Sequence, residues 1–157
     1  MFARRVYRRH LPHYQLNFRT YFVTFVTAER WVLPPAARTI VLKRVLEEHG
    51  RRLGLHTAVV MPDHVHLVLT PAATSHGEAY ALPELLRLLK GSSARAINQA
   101  LRRKGKVWQQ EFFDHELRRD ESLREKCEYI ALNPVRKGLV TSPDEYPWLW
   151  REWIDRT

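Results

Sequence analysis

Two rhythms of apolar and polar positions run through this chain. Tyr21 to Thr27 (YFVTFVT) is aromatic and β-branched and predicts a strand. Pro34 and Pro35 suit the first turn of a helix, and Val41, Leu42, Val45, Leu46 and His49 recur at helical spacing, which predicts an amphipathic helix ending near Gly50 or Gly54. Leu55 to Met61 reads as a second strand and His64 to Thr70 as a third, joined by the turn chemistry of Pro62-Asp63 into a hairpin. A small-residue loop spans 71–81. From Leu82 the pattern is helical through Leu85, Leu86, Leu88 and Leu89, and resumes at Ala96, Ile97, Ala100 and Leu101. Gly91 sits between the two stretches. Either the helix breaks there or the backbone is needed close to something, such as a phosphate.

A basic cluster around Gly105 follows (Arg102, Arg103, Lys104, Lys106), then two short strands at 107–110 and 112–117. Ser122-x-x-Glu125 is a capping box that starts a helix with Leu123, Cys127 and Ile130 as its buried stripe. Pro134 ends that helix at about Asn133, since the residue before proline avoids the helical region. An aromatic tail, 141–157, carries Tyr146, Trp148, Trp150 and Trp153. No repeat, low-complexity tract or linker divides the 157 residues, so one domain spans 1–157, of mixed α and β class.

Charge narrows the partners. Lys and Arg outnumber Asp and Glu by 26 to 17, a net +9, which favours nucleic acid, with an anionic membrane surface as runner-up. Residues 1–19 form a basic stretch with Arg4, Arg5, Arg8 and Arg9: a frayed tail or an arm on phosphates. The single cysteine, Cys127, excludes an internal disulfide and any multi-cysteine zinc site, and fits a reducing compartment. No apolar run reaches the ~20 residues that span a bilayer and no secretory signal is visible, so the expected setting is cytoplasmic with no membrane partner.

Met61 to Thr70, MPDHVHLVLT, holds the candidate chemistry. Alternate side chains of a strand share a face, so His64 and His66 point one way and Val65 the other, and two imidazoles side by side can hold one metal ion. On the later helix, Lys126, Tyr129 and Asn133 fall in a narrow sector beside the buried stripe. Tyr129 is a candidate nucleophile toward a phosphodiester, Lys126 would favour its phenolate, and Asn133 could lend an oxygen to the metal. Each element has an ordinary alternative. His-x-His on a strand is more often structural, a helical tyrosine beside a core stripe usually packs, Asn before Pro usually ends a helix, and basic runs are usually solvated.

MPDHVHLVL resembles the HUH motif (His, bulky hydrophobic, His) of single-tyrosine transposases. WQQEFFDHELRRD from Trp108, EYIALNPVRKGLV from Glu128 and LLKGSSARAIN from Leu88 are similar to the REP-associated tyrosine transposases, a branch of the insertion-sequence HUH transposases. The likeness runs from Tyr21 to about Trp148. It implies an α+β, ferredoxin-like antiparallel sheet with helices packed on one face, the histidines on a central strand and the tyrosine on a following helix. It also implies a reaction on single-stranded or hairpin DNA. Tyr129 attacks a backbone phosphate beside a hairpin-forming repeat, giving a 5′-phosphotyrosine and a free 3′-OH, and the reverse attack rejoins the strand. His64, His66 and Asn133 would hold Mg²⁺ or Mn²⁺. Many members carry glutamine where Asn133 stands, and asparagine reaches less far. Arg4, Arg5, Arg8, Arg9, Lys90, Arg102, Arg103, Lys104 and Arg136 would contact DNA. Monomer and homodimer are both compatible.

Two other functions compete with the transposase. One is a non-catalytic hairpin-binding protein derived from such an enzyme. The other is a water-using phosphodiesterase, for which the constellation is poor in carboxylates.

Overall fold

The structure, a computed structural model, describes residues 18–118 and 121–152. Five antiparallel strands form one sheet in the order β4-β1-β3-β2-β5. They are β1 (Tyr21–Val26), β2 (Leu53–Val60), β3 (His64–Pro71), β4 (Phe113–Glu116) and β5 (Leu149–Arg151). The helices are α1 (Pro35–Glu48), α2 (Leu82–Leu101), α3 (Leu123–Ala131) and the single turn α4 (Asn133–Arg136).

Strand parity divides the sheet into two faces. Val23 and Phe25 of β1 and Val65, Leu67 and Leu69 of β3 point into the larger core, closed by α1 and α2 through residues such as Val41, Val45, Leu86 and Leu89. The other face carries Val59, Met61 and Val68, and α3 packs there with Leu123, Cys127 and Ile130, the stripe predicted for it. The two long helices thus share one face as expected. The short α3 takes the opposite one, an addition to the expected one-sided packing.

A bulge makes the second face possible. Leu55 pairs with Leu69 and Thr57 with Val68, so His56 is an extra residue in β2. One inserted residue reverses which side chains face which side. Leu53 and Leu55 therefore enter the larger core before the bulge, while Val59 faces α3 after it.

Three expectations are revised. The segment 107–110 forms no strand; Trp108 makes an isolated bridge to Thr27. The aromatic tail contains β5, which pairs with β2, and Tyr146 is buried with its hydroxyl donating to the Val60 carbonyl at 2.5 Å. Finally, α2 runs unbroken through Gly91. Ser92 and Ser93 turn their hydroxyls onto the carbonyls of Leu88 and Lys90, and receive donors from Arg44 and Trp108. Those partners let the polar run stay helical.

A β-carbon at Gly91 would meet only the Arg95 guanidinium, at 3.5 Å, an ordinary contact with a flexible group. Gly91→Ala should therefore stabilise the protein by about 1 kcal/mol, the helix-propensity difference, read as a higher urea midpoint at unchanged slope.

Candidate active site

The site is built on the middle of the sheet. His64 and His66 open β3, with ring centroids 4.7 Å apart and rings at 72°. The register sets Thr24 of β1 and Val59 of β2 on either side of His66. Both Nδ1 atoms are engaged. His66 Nδ1 lies 2.8 Å from the Thr24 hydroxyl, and His64 Nδ1 lies 2.7 Å from Asp63 Oδ1. Asp63 in turn accepts from Arg30 at 3.3 Å, and its backbone carbonyl accepts from the Thr27 amide. A carboxylate on Nδ1–H places the lone pair of His64 on Nε2, and Thr24 allows the same tautomer for His66.

Electrostatics keep His66 uncharged. Burial pushes His66 down to about 3, aided by His64 and by the positive charges of Arg136, Lys137 and Lys126. Burial works against the Asp63 carboxylate, but its hydrogen bond to His64 and the nearby Arg30 more than offset this and hold it below the usual range. Arg136 of α4 and Lys137 after it are thus within electrostatic reach of His66.

A ladder of rings and cations leads from the histidines to the tyrosine. His66 stacks on Phe22, centroids 5.4 Å apart at 30°. Lys126 places its Nζ 4.7 Å from the Phe22 ring and 5.7 Å from the Tyr129 ring. Arg136 covers Tyr129, its Cζ 3.9 Å from the ring centroid. Tyr129 is 58 % exposed, unusual for a large ring. The helix stripe explains this: Leu123, Cys127 and Ile130 face inward, leaving Tyr129 on the rim.

Asn133 does not share a helix with Tyr129. The chain kinks at Leu132 (ψ −3°) and Asn133 begins α4, because Pro134 has no N–H with which to continue the ladder of α3. Asn133 is nonetheless buried, and its Nδ2 has no hydrogen-bond partner. Among the described residues no group of three or more His, Cys, Asp or Glu side chains could hold a metal. A cation here would rest on the two imidazoles, the Asn133 amide and oxygens brought by substrate or solvent.

The remaining basic residues lie elsewhere. Lys90 on α2 donates to the Gln110 and Glu111 carbonyls, so its ammonium is committed to holding that segment. Arg102, in left-handed conformation, ends α2 and is exposed with Lys104, while Arg103 stacks on Trp31. Arg4, Arg5, Arg8 and Arg9 lie outside the described residues. Sequence reasoning missed Thr24, Phe22, Asp63, Arg30 and Lys137. Only Asp63 carried a signal, a carboxylate directly before the first histidine.

The model of the IS200-like transposase family matches residues 17–133. The chain belongs to this family. It is 28 % identical over 98 residues to a protein of Haemophilus influenzae described as a REP-associated tyrosine transposase, a match covering 57 % of this chain and 53 % of that one. The chain thus matches about half the length of that curated relative. A solved REP-associated tyrosine transposase bound to a REP hairpin shares the fold, at 22 % identity and TM-score 0.64, over 83 % of this chain and 75 % of that one. A Deinococcus radiodurans protein described as a transposase aligns at 25 % identity and TM-score 0.47, over 74 % of this chain and 90 % of that one. The resemblance to REP-associated transposases is borne out. Among the described residues, no helix is long and apolar enough to cross a membrane.

In the metal-free protein the His66 ring should stay neutral far below the ordinary histidine range. The unfolded ring takes up a proton near ~6.5 and the folded ring only near about 3, so the stability from this residue is lost as pH falls between those values. An NMR titration of the ring carbons checks it: no inflection above pH 5 is expected, and an inflection near 6.5 contradicts the burial.

Proposed function

We propose that this protein is a metal-dependent tyrosine transposase of the REP-associated type, acting on single-stranded DNA beside a hairpin. The observation that carries this reading is the ladder joining His66, Phe22, Lys126, Tyr129 and Arg136, which links an exposed tyrosine to a neutral His66 through two cations. The family membership and the hairpin bound to the structural neighbour support the same substrate.

Tyr129 Oη forms a bond to the phosphorus of a DNA phosphodiester while the bond to the 3′ oxygen breaks. The phenol proton is lost to solvent and the departing oxygen gains one, leaving a 5′-phosphotyrosine and a free 3′-OH. The exchange of one ester for another needs no nucleotide cofactor, and the reverse attack by a 3′-OH rejoins a strand. Arg136 and Lys126 hold the ring and favour the charge accumulating on the phosphate. Lys137 adds to the same field.

The donor set fits a divalent cation. The two rings lie 4.7 Å apart with their Nδ1 atoms held by Thr24 and Asp63, which leaves both Nε2 atoms as donors, and turning the Asn133 amide over replaces its unpartnered Nδ2 with an oxygen that a cation would satisfy. His64, His66 and Asn133 would hold Mg²⁺ or Mn²⁺, which when bound polarises the phosphate and offsets its charge. Imidazole suits Mn²⁺ better than Mg²⁺, and two nitrogens with one amide leave several positions for phosphate oxygens and water. DNA-free protein should therefore bind Mn²⁺ more tightly than Mg²⁺ by calorimetry, with Mg²⁺ affinity rising when hairpin DNA is added. Tight Mg²⁺ binding without DNA contradicts this site.

The reaction is tested with a labelled single-stranded hairpin and Mn²⁺ on a denaturing gel. A protein–DNA adduct is expected, falling at least ~10³-fold in Tyr129→Phe while hairpin binding persists. Binding without any adduct selects a non-catalytic hairpin binder, and cleavage that survives Tyr129→Phe selects a water-using nuclease.

A further inference from the structure

A second site lies at the same end of the sheet. An open pocket of about 670 Å³, within the range of small-ligand sites, is lined by Glu29, Trp31, Arg103, Lys104, Lys106 and Gln109 among others. Its floor is a prepared shelf. The Arg103 guanidinium carbon sits over Trp31, 4.0 Å from the ring centroid, and the group is pinned by a 2.7 Å bond to Asn98 Oδ1. The Asn98 amide in turn donates to the Gly105 carbonyl, fixing the loop that carries the lysines.

The walls are polar and oriented. Gln109 donates its Nε2 to the Thr27 carbonyl at 3.3 Å, which leaves Oε1 as an acceptor. Glu29 adds a carboxylate from an unusual backbone: it and Arg30 are consecutive non-glycine residues with φ of 55° and 56°. Such strain persists only where the surroundings enforce it, and it gathers at functional sites. The enforcing contacts are visible, since Ala28 N bonds Val107 O and Arg30 reaches Asp63, the partner of His64.

We propose that this pocket holds one unpaired nucleobase of the DNA strand that runs to the histidine pair. The base stacks on the Arg103 plane, and Lys104 and Lys106 take the phosphates flanking it. Gln109 Oε1 and Glu29 accept hydrogen bonds from an exocyclic amine, so adenine, cytosine and guanine are favoured over thymine, which has none. The two sites are within reach of one strand. Gln109 N bonds Val26 O on one edge of β1, and His64 pairs with Val26 across the other, so about two strand spacings, ~10 Å, separate them. The proposal rests on the reading of this chain as a single-strand DNA enzyme.

The test measures anisotropy of labelled DNA octamers with the full chain, comparing wild type with Arg103→Lys, which keeps the charge and loses the plane. Wild type should bind oligo-dA and oligo-dC several-fold more tightly than oligo-dT. Arg103→Lys should lose about tenfold on oligo-dA but nothing on an abasic octamer of equal charge, with an unchanged melting temperature. Gln109→Leu should erase the preference over oligo-dT. Equal losses on base-bearing and abasic strands, or no loss at all, overturn the pocket while leaving the transposase reading intact. Wild type that prefers duplex of equal charge to every single strand overturns that reading itself.

Discussion

The register between β1 and β3 is the constraint on which the site depends. Thr24 lies directly opposite His66, and its hydroxyl meets His66 Nδ1. Because strand side chains alternate, a slip of one residue would turn both histidines into the core of Val65, Leu67 and Leu69 and turn those three toward α3. The apolar content of that core forbids the slip. Burying three aliphatic side chains is worth several kcal/mol at ~1.5–3 kcal/mol each, far more than the hydrogen bond it protects. The core therefore aims the imidazoles, while Thr24 holds the His66 ring and Asp63 the His64 ring. The His56 bulge serves the same end from the other side, by turning Val59 toward α3 beside His66.

Three cations gather within electrostatic reach of His66. Lys126, Arg136 and Lys137 all act on His66, while the one carboxylate at the pair, Asp63, is already matched by Arg30 and His64. Burial and like charge keep His66 neutral. Lys126 and Arg136 stack on Phe22 and Tyr129, where ring quadrupoles partly satisfy them. A phosphodiester is the kind of group such a surface attracts, and it would arrive beside the phenol.

Much of this was legible from pattern. The α3 stripe of Leu123, Cys127 and Ile130, the Ser122 cap and the β2–β3 hairpin depend on local periodicity and turn chemistry, and all three stand as read. What was not legible depends on distant pairing. β5 has only three residues and is a strand because β2 offers it an edge, although Tyr146, Trp148 and Trp150 do alternate. The bulge at His56 is invisible in a run whose every residue is buried. For the site, His64, His66, Lys126 and Tyr129 could be named because their spacing shows on the page. Thr24, Phe22 and Arg30 come from other elements, and nothing local distinguishes them. Lys90 illustrates the converse: a lysine in a basic protein looks like a DNA contact, and here it fastens the 110–111 backbone.

The short turn after β1 ties these observations together. A chain leaving β1 could relax two left-handed residues at a gain of ~1–3 kcal/mol each. It is held instead by Thr27 and Ala28 amides bonded to the Asp63 and Val107 carbonyls, and by the Arg30–Asp63 ion pair. The pair itself is largely exposed and contributes little to stability, so it does not explain the strain energetically. What the conformation achieves is placement. Arg30 goes to the carboxylate that orients His64, and Glu29 goes to the mouth of the Trp31–Arg103 pocket. One strained turn thus carries both Glu29 of the pocket lining and Arg30, the partner of the carboxylate that holds His64.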